Sequence, residues 1–264
     1  NMHFGYKSSR SKALTLETML DEMNLQVLSR LSIDSNSRAN ILDMGCGMGA
    51  TMRFAFKHFS KAQIHGVTIS PKQVQEGNSL LRKHGFRDRA TIHLRDYTNT
   101  NFNGATFDGA YAIESSCYAK GFSKSDLIAE AARILKPGQK FVVADGFRRD
   151  VKPYRGFTKW CYETVCKCWS IECFGEINSF KNALRENGFT DIKIEDVSWR
   201  VAPSILHVPL KVFGFLARRI FKRNRKMNAE RWKNLAAPLL GILLGINQRR
   251  FGYFIITATK TEQS

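Results

Sequence analysis

The residues with the clearest chemical meaning form a glycine-rich turn in the stretch 41–49, Ile-Leu-Asp-Met-Gly-Cys-Gly-Met-Gly. Its first two residues are typical of the end of a buried strand, and a helical pattern begins at Thr51. Gly45 and Gly47 allow a tight turn with positive φ and no Cβ atom, so a ligand could contact bare backbone there. The stretch therefore predicts a nucleotide-binding loop, and a purely structural glycine turn is the less favoured interpretation.

The spacing of these glycines alone does not separate NAD from S-adenosylmethionine as the ligand. Gly45, Gly47 and Ala50 satisfy the loose dinucleotide fingerprint. Dinucleotide sites, however, want an Asp or Glu about 20 residues further on for the ribose hydroxyls. Here the second apolar run, 64–68, ends in Thr68. The residues therefore favour a methyl-donor site over a dinucleotide site.

The elements that would hold this loop alternate between apolar runs and helical patterns. We predict strands over 64–68, 91–94, 107–113, 140–144, 192–197 and 251–258, and helices over 14–31, 72–84, 123–135 and 177–187. This alternation predicts the α/β class, with a doubly wound, mostly parallel sheet. Such sheets bind ligands beyond the carboxyl ends of their strands. That rule selects Asp43, Gly45, Thr68, Asp96, Glu114 and Asp145.

The pattern predicts a single domain, 1–264, with four parts. Residues 1–35 would form an N-terminal loop and helix, and residues 36–150 the donor-binding core. After residue 150 an aromatic, cysteine-rich stretch precedes the last strands, and we interpret it as a helical lid. It would belong to a lid, acceptor-binding and basic region over 151–250. Residues 251–264 would form the final strand, at or near a sheet edge, and a tail.

Composition is ordinary for a globular enzyme, but net charge is not. Of 264 residues, 43% are hydrophobic and 24% charged, whereas 41 Lys and Arg against 23 Asp and Glu give a net charge of +18. This excess points to an anionic partner such as a lipid surface, a phosphorylated substrate or nucleic acid. Much of it falls between His207 and Arg250, where Glu230 is the one acid among eleven basic residues: Lys211, Arg218, Arg219, Lys222, Arg223, Arg225, Lys226, Arg231, Lys233, Arg249 and Arg250.

Within this basic region, the segment 208–221 has apolar residues at helical spacing and basic residues around its far end. That pattern is typical of a helix lying in a membrane interface. We therefore predict an anionic membrane surface as a partner, with a solvated basic face as an equal alternative. Nucleic acid ranks below both, because no RNA-binding signature or aromatic stacking platform accompanies the charge.

The six cysteines show neither a C-x-x-C pair nor histidines at zinc-finger spacing, so we predict no metal site. Cys161 and Cys168 share a predicted helical face with Phe157 and Val165, which favours buried, reduced thiols. The apolar run 235–246 is interrupted by proline and is shorter than the about 20 residues that a membrane span needs. No signal peptide is visible, and we expect a protein of the cytoplasmic side, in solution or peripheral to a membrane.

Several stretches together resemble the class I S-adenosylmethionine-dependent methyltransferases, and within them the sterol and tocopherol C-methyltransferases. Residues 42–49 resemble their donor loop, and 66–73 resemble the stretch in which tocopherol and cyclopropane-type enzymes replace the usual ribose acid. Residues 111–118, Tyr-Ala-Ile-Glu-Ser-Ser-Cys-Tyr, resemble the sterol-methyltransferase signature. The segments 2–6 and 196–203 resemble the tocopherol type, so the resemblance spans nearly the whole chain.

This resemblance implies a Rossmann-like fold and S-adenosyl-L-methionine as cofactor, with S-adenosyl-L-homocysteine as its product. Tyr6 would close over the donor, and the glycine loop would hold its amino-acid end. Thr68 with Gln73 would address the ribose, while Asp96 and Tyr97 would bind the adenine. The full set of donor-binding residues predicted in this way is Tyr6, Asp43, Gly45, Gly47, Gly49, Thr68, Ser70, Gln73, Asp96, Tyr97 and Ile113.

Glu114 is the predicted catalytic carboxylate. Methyl transfer to an electron-rich carbon develops positive charge on the acceptor, and a carboxylate at a strand end would stabilise it and could remove a proton. The alternative is an acid that only hydrogen-bonds the substrate or a backbone amide. Family members carry histidine where this chain has Tyr118, which leaves the general base open. Tyr118 could orient Glu114, and His207 and His3 are further candidates, with packing as the alternative for each.

The predicted function is C-methylation of a hydrophobic small-molecule acceptor of isoprenoid or prenyl-lipid type. A sterol, a prenylated quinol, a prenyl diphosphate and an isoprenoid-derived alkaloid all remain open. Large aromatic residues would line its pocket, with ordinary core packing as the alternative: Trp160, Trp169, Trp199 and Phe213. The rival hypotheses are N- or O-methylation of a hydrophobic small molecule, and a donor-binding protein without activity that serves as an assembly or RNA-binding factor.

Overall fold

A computed structural model describes residues 3–8, 15–205, 207, 240–245 and 249–262. In these ranges seven strands form one sheet: β1 (Asn40–Met44), β2 (Gln63–Thr68), β3 (Ala90–Leu94), β4 (Phe107–Ile113), β5 (Leu135–Arg148), β6 (Phe189–Asp196) and β7 (Phe251–Lys260). The helices are α1 (Leu16–Ser29), α2 (Ala50–Ala55), α3 (Pro71–Lys83), α4 (Ser125–Ile134), α5 (Gly156–Trp169), α6 (Ile177–Glu186) and α7 (Ser198–Ile205).

The strand order is β3-β2-β1-β4-β5-β7-β6. The neighbours from β3 to β5 pair in parallel, and β7 runs antiparallel to both β5 and β6. The order therefore reverses between β1 and β4, which opens a crevice at the carboxyl ends of these two strands. This arrangement confirms the predicted doubly wound α/β sheet and places the final strand one position in from the edge.

Two apolar clusters cover the two faces of the sheet. Along β5, Val142 and Ala144 belong to the cluster that contains α1, whereas Phe141 and Val143 belong to the one that contains α4 and α6. Side chains alternate between faces along a strand, so a strand buried on both faces is apolar throughout. This explains the apolar runs of the buried strands, whereas β6, at the edge of the sheet, is largely exposed.

Helix starts follow the sequence signals closely. Pro71 occupies the first turn of α3, and the Ser70 hydroxyl accepts a hydrogen bond from the Gln73 N–H at 3.4 Å, as the Ser-Pro pair predicts. At α6 the Glu176 carboxylate accepts from the N–H groups of Asn178 and Ser179. Each such cap stabilises a helix by about 1 kcal/mol. The caps thereby fix the residues at which α3 and α6 begin.

The lid predicted before the last strands contains α5, whose inner face joins a third apolar cluster. Cys161, Val165 and Cys166 are buried there with Cys117 and Leu244. The three cysteines of this cluster are free thiols, in agreement with the buried reduced state expected for Cys161. The range 151–250 also holds α6 and β6, which belong to the layered core.

The predicted composition of the lid's buried face was wrong in part. Phe157 is 66% exposed, because the first turn of α5 extends beyond the apolar cluster that covers the middle of the helix. Cys168, in the last turn, is half-buried. We expected Trp160 and Trp199 to line a pocket or to pack in the core, but both are exposed. Trp169 packs against Phe174.

The predicted interfacial segment 208–221 and Phe213 lie outside the described residues, as do nine of the eleven basic residues counted above. Arg249 and Arg250 are described, immediately before β7. None of the helices within the described ranges is long and apolar enough to cross a bilayer.

A pair of histidines lies on adjacent strands of the sheet, away from the crevice. The Nδ1 atom of His65 lies 3.2 Å from the Nε2 atom of His93, and Phe102 packs edge-on against both rings. Burial lowers the pKa of both imidazoles, that of His93 to about 4, with the charge of Arg95 adding to the effect. The pair is therefore held in the neutral state at neutral pH.

We expect this pair to make the fold acid-sensitive. The unfolded chain binds protons at these histidines near pH 6.5, whereas folded His93 binds one only near pH 4, so their contribution to stability is complete above 6.5 and is lost as pH falls through that window. Urea unfolding at a series of pH values should show a shallower acid slope for His93→Gln. The exposed control His84→Gln should keep the wild-type slope, and equal slopes for both variants would refute the effect.

Candidate functional site

The glycine turn after β1 has left-handed backbone at all three glycines, with φ of 108° at Gly45, 53° at Gly47 and 69° at Gly49. A Cβ atom on Gly45 would lie 2.3 Å from the Cβ of Ser115, so the packing of β1 against the end of β4 already demands glycine there. The N–H of Gly45 donates to the carbonyl of Val67 at 3.1 Å. This glycine therefore has a structural reason for its presence that the sequence pattern did not reveal.

Gly47 is different. Apart from its two chain neighbours, none of the residues that the structure describes has an atom within 4 Å of the position that its Cβ would occupy. Bare backbone in a left-handed turn, with open space beside it and the crevice next to it, fits a bound nucleotide-like donor. Gly47 and Gly45 thus meet the same sequence pattern for two separate reasons.

Asp43 lies under this turn as a buried carboxyl group. The Tyr111 hydroxyl, on the neighbouring strand β4, donates to its Oδ2 atom at 3.0 Å. Burial raises the pKa of Asp43 to about 7, and the hydrogen bond from Tyr111 partly opposes this rise. A cation bound close to Asp43 would favour its ionised form.

The end of β2 carries hydroxyl and amide groups in place of an acid. The Thr68 hydroxyl donates to the Oε1 atom of Gln73 at 2.6 Å and accepts from the N–H of Ser70 at 3.3 Å. Thr68, Ser70 and Gln73, predicted as a set, are therefore brought together at the start of α3. Neutral polar groups at this position suit ribose hydroxyls without adding charge.

Asp96 and Tyr97 follow β3 at the same edge. Asp96 is exposed, and its Oδ1 atom accepts from both the N–H and the hydroxyl of Thr98 at 2.8 Å. The Tyr97 hydroxyl donates to the carbonyl of Ser115 at 2.9 Å, which ties the residues after β3 to those after β4. Ile113, half-buried at the end of β4, completes the set of predicted donor-binding residues on the crevice side.

Glu114 is the residue that immediately follows β4. Its φ is 48°, in the left-handed region, and its N–H donates to the carbonyl of Ala144 at 2.9 Å. Its Oε1 atom accepts two hydrogen bonds, from the N–H of Phe4 at 2.6 Å and from the hydroxyl of Tyr253 at 2.9 Å. Burial raises the pKa of Glu114 to about 8; the two donors lower it and the nearby Asp145 raises it.

The N-terminal loop, residues 3–8, reaches Glu114 because its own backbone is docked on two helices. The N–H of Gly5 donates to the Ser204 hydroxyl of α7 at 2.9 Å, and the N–H of Tyr6 donates to the carbonyl of Met19 in α1 at 2.8 Å. A Cβ on Gly5 would lie 2.4 Å from the Cβ of Met19. The tight approach therefore needs glycine, and it leaves Tyr6 half-buried against the core.

Two buried charged side chains, Asp145 and Lys124, hold the turn that follows Glu114. The Asp145 carboxylate accepts from the Ser116 hydroxyl at 2.7 Å and from the N–H of Cys117 at 3.0 Å. The Lys124 ammonium, fully buried, donates to the carbonyls of Cys117, Ala119 and Cys173 at 3.1, 2.6 and 2.7 Å. The turn that follows Glu114 is thus fixed to both β5 and the lid.

The remaining catalytic candidates lie around this turn. Tyr118 is exposed, and partial burial together with nearby Cys117 raises its pKa to about 12. His207 is half-buried just beyond α7, and the described contacts include none between it and Glu114. His3 bonds through Nδ1 to the carbonyl of Phe4 at 2.9 Å, and burial lowers its pKa. Their catalytic roles stay predictions.

Sequence reasoning missed three groups that contact the site. Tyr253 lies in β7 opposite Gly146 of β5, and only the antiparallel register brings it to Glu114. Phe4 contributes its backbone N–H, and a pattern of side chains does not predict where a backbone donor binds. Lys124 lies in the first turn of the predicted helix 123–135, where nothing in its neighbourhood distinguishes it from a surface lysine. Asp145 was selected as a strand-end residue, but its hydrogen bonds to the turn that follows Glu114 were not predicted.

Comparison with known proteins identifies the class. Residues 41–138 match the family model described as a methyltransferase domain. Over 208 residues the chain is 30% identical to the O-methyltransferase cnsE of Penicillium expansum, covering 77% of this chain and 70% of that protein. Over 143 residues it is 34% identical to the sterol 4-C-methyltransferase strm-1 of Caenorhabditis elegans, covering 54% of this chain and 41% of that one.

The fold agrees with these relationships. The geranyl diphosphate C-methyltransferase of Streptomyces coelicolor, solved with Mg²⁺, geranyl diphosphate and S-adenosyl-L-homocysteine, superposes with a TM-score of 0.74 at 18% identity over 99% of this chain and 92% of that one. Sheet order and glycine turn define a Rossmann-like class I methyltransferase. The chain belongs to the S-adenosylmethionine-dependent methyltransferase family, as an enzyme that resembles its sterol and tocopherol group.

The open space at Gly47 leads to a prediction about donor binding. Gly47→Val should abolish S-adenosylhomocysteine binding in calorimetry, because the added side chain would enter the open space beside the turn, where we expect the donor. Gly85→Val is the matched control. Gly85 also has positive φ (78°) and no atom within 4 Å of an added Cβ, but it precedes β3 at the opposite edge.

Equal donor affinity in the two valine variants would show that Gly47 does not touch the donor. Binding of NAD in place of S-adenosylhomocysteine by the wild type would overturn the assignment of the loop.

The Tyr253 hydrogen bond leads to a second prediction. Tyr253→Phe removes a donor to the carboxylate form of Glu114, so the pKa of Glu114 should rise above about 8. If the ionised form is active, the rising limb of the pH–rate profile should move to higher pH, with S-adenosylhomocysteine affinity unchanged. In a Glu114→Gln background the same change should leave the profile unmoved, and a limb that stays in place in the wild-type background would contradict the coupling.

Proposed function

We propose that the protein is a C-methyltransferase for an isoprenoid or prenyl-lipid acceptor. The observation that carries this proposal is the Glu114 carboxyl group. It follows β4 directly, at the crevice edge of the sheet, and it has a pKa of about 8 with two hydrogen-bond donors on one oxygen. An acid raised in this way at a ligand edge is typical of a functional residue.

The proposed role of Glu114 follows from the charge that the reaction creates. When bound, S-adenosylmethionine supplies an electrophilic methyl group. As an acceptor carbon takes that group, positive charge develops on the acceptor, and the Glu114 carboxylate stabilises it in a site of low dielectric. The Tyr253 hydroxyl and the Phe4 N–H hold the carboxylate in one orientation. With a pKa close to the operating pH, Glu114 can then take a proton from the neighbouring carbon.

The donor would be held by the residues around the glycine turn. In this proposal the backbone at Gly47 contacts its amino-acid end, and the buried Asp43, with a pKa of about 7, ionises beside the cationic amino group. Thr68 and Gln73 address the ribose, and Asp96 and Tyr97 the adenine. Tyr6, Gly45, Gly49, Ser70 and Ile113 complete the proposed surface.

The acceptor class is supported by the surroundings of Glu114 and by the relatives. Cys117, three residues after Glu114, belongs to the apolar cluster of the lid, which offers a hydrophobic wall. One relative is named for a sterol and one structural neighbour for geranyl diphosphate, both isoprenoid molecules. The charge of +18 suits either a phosphorylated acceptor or an anionic membrane that contains it. The latter, predicted from segment 208–221, stays a prediction.

O-methylation of a hydrophobic small molecule is the second candidate. It is favoured by the relationship to an O-methyltransferase over 70% of that protein's length. A carboxylate with a pKa of about 8 is also suited to remove a proton from an acceptor hydroxyl. Incubation with labelled donor and a panel of lipid extracts, followed by identification of the methylated atom, separates the two candidates.

We predict that Glu114→Gln lowers turnover by about 10²-fold or more, the scale of losing one electrostatic contact to a transition state. The change keeps the shape of the side chain but removes its charge, so S-adenosylhomocysteine affinity should stay close to wild type. Glu172→Gln, on an exposed position of the lid, is the control for loss of one acid and should retain activity. Unchanged turnover in Glu114→Gln would reduce Glu114 to a structural residue.

A further inference from the structure

The first turn of α5 and the residues before it form an exposed surface that we call the lid tip, residues 151–160. Its apolar members are Val151, Phe157 and Trp160, exposed by 57%, 66% and 54%. The rings of Phe157 and Trp160 stack on each other with centroids 5.6 Å apart and planes 25° apart. The pair therefore forms one continuous aromatic surface.

This exposure is not explained by the packing of α5. The buried face of the helix is formed by Cys161, Val165 and Cys166, and it is already covered by the third apolar cluster. Phe157 and Trp160 are not among the described members of that cluster, and leaving such large apolar side chains in water is unfavourable. A concentrated apolar patch of this kind marks an interaction surface.

The rim of the lid tip is positively charged. Lys152, Arg155 and Lys159 are exposed around the aromatic pair. The acids next to them are already engaged: Asp150 pairs with Arg250 at 3.2 Å, and Glu163 pairs with Lys159 at 3.6 Å. Lys152 and Arg155 form no ion pair among the described residues, and the tip has an aromatic centre with a cationic edge.

We propose that the lid tip docks on the surface of a phospholipid bilayer that contains anionic lipids. Aromatic rings suit the boundary between headgroups and acyl chains, and lysine and arginine side chains around them reach the anionic headgroups. Charge complementarity selects this occupant over a second copy of the chain. Two identical tips would bring Lys152 and Arg155 of each copy against those of the other.

Docking in this orientation would serve the proposed reaction, although the inference does not depend on it. The face of α5 opposite the tip contacts Cys117 in the turn that follows Glu114. A bilayer bound at the tip would therefore lie on the lid side of the site, where an apolar acceptor is dissolved. Membrane binding is measured without turnover, so failure of the docking and failure of methyl transfer are distinguishable.

The test is cosedimentation of the full chain with vesicles of phosphatidylcholine, with and without phosphatidylserine, at low and raised salt. Phe157→Ser with Trp160→Ser removes the aromatic centre, and Lys152→Glu with Arg155→Glu reverses the rim. Lys61→Glu with Arg87→Glu is the matched control, since both residues are exposed and precede strands at the opposite edge of the sheet. S-adenosylhomocysteine binding checks that every variant is folded.

We expect the wild type to bind the anionic vesicles in a salt-sensitive manner, because each basic group near such a surface adds electrostatic attraction that salt screens. Binding should fall by about tenfold or more in each tip variant and should be unchanged in the control. Quenching of tryptophan fluorescence by brominated acyl chains should fall in Trp160→Phe. Equal losses in the control and rim variants would reveal a non-specific charge effect and overturn the inference.

Two other results would also overturn it. Binding that is unaffected by the tip variants but lost when Arg218, Arg219, Lys222 and Arg223 become Glu would assign the membrane contact to the basic segment alone. A concentration-dependent dimer in sedimentation velocity that disappears in Phe157→Ser with Trp160→Ser would make the tip an interface between copies of the chain.

Discussion

The site depends on one carboxyl group and on the two donors that converge on it. Glu114 accepts from Phe4, 110 positions earlier in the chain, and from Tyr253, 139 positions later. A buried carboxylate without donors is strongly disfavoured, so the loss of either partner would raise the pKa of Glu114 further. The N-terminal loop and β7 are thereby coupled to the end of β4, and parts of the chain that are far from Glu114 in sequence set the environment of this carboxyl group.

Backbone geometry adds a second constraint at the same residue. Glu114 adopts φ of 48°, a conformation that costs a non-glycine residue of order 1 kcal/mol. Its N–H still donates to the carbonyl of Ala144, so this backbone donor stays paired where the chain leaves β4. The Asp145 carboxylate and the Lys124 ammonium then fix the residues that follow. The strain at Glu114 persists because the surrounding bonds determine the turn from both sides.

Much of the fold follows from local signals. The alternation of apolar runs with helical patterns, the Ser70-Pro71 helix start and the glycine turn after β1 each depend on neighbouring residues, and each was predictable from the sequence. The residues of the candidate site show the same difference between local and long-range signals. The groups at strand ends were found, because parallel strands all present their carboxyl ends at one edge. Tyr253 and the N–H of Phe4 were not, since long-range register and loop docking bring them to Glu114. The outward orientation of Phe157 was also missed, because helical periodicity does not show where the covering cluster ends.

The bonds of Lys124 have a consequence for how this scaffold can vary. Its three acceptors, at positions 117, 119 and 173, are main-chain carbonyls, which every amino acid possesses. Substitutions at those positions would change side chains in the turn after Glu114 and in the lid, and would leave the bonds that hold the backbone intact. Position 124 itself requires a buried ammonium on a left-handed backbone. One buried cation could thus support a range of differently lined pockets, because the side chains at the positions it holds can change while the backbone arrangement stays the same.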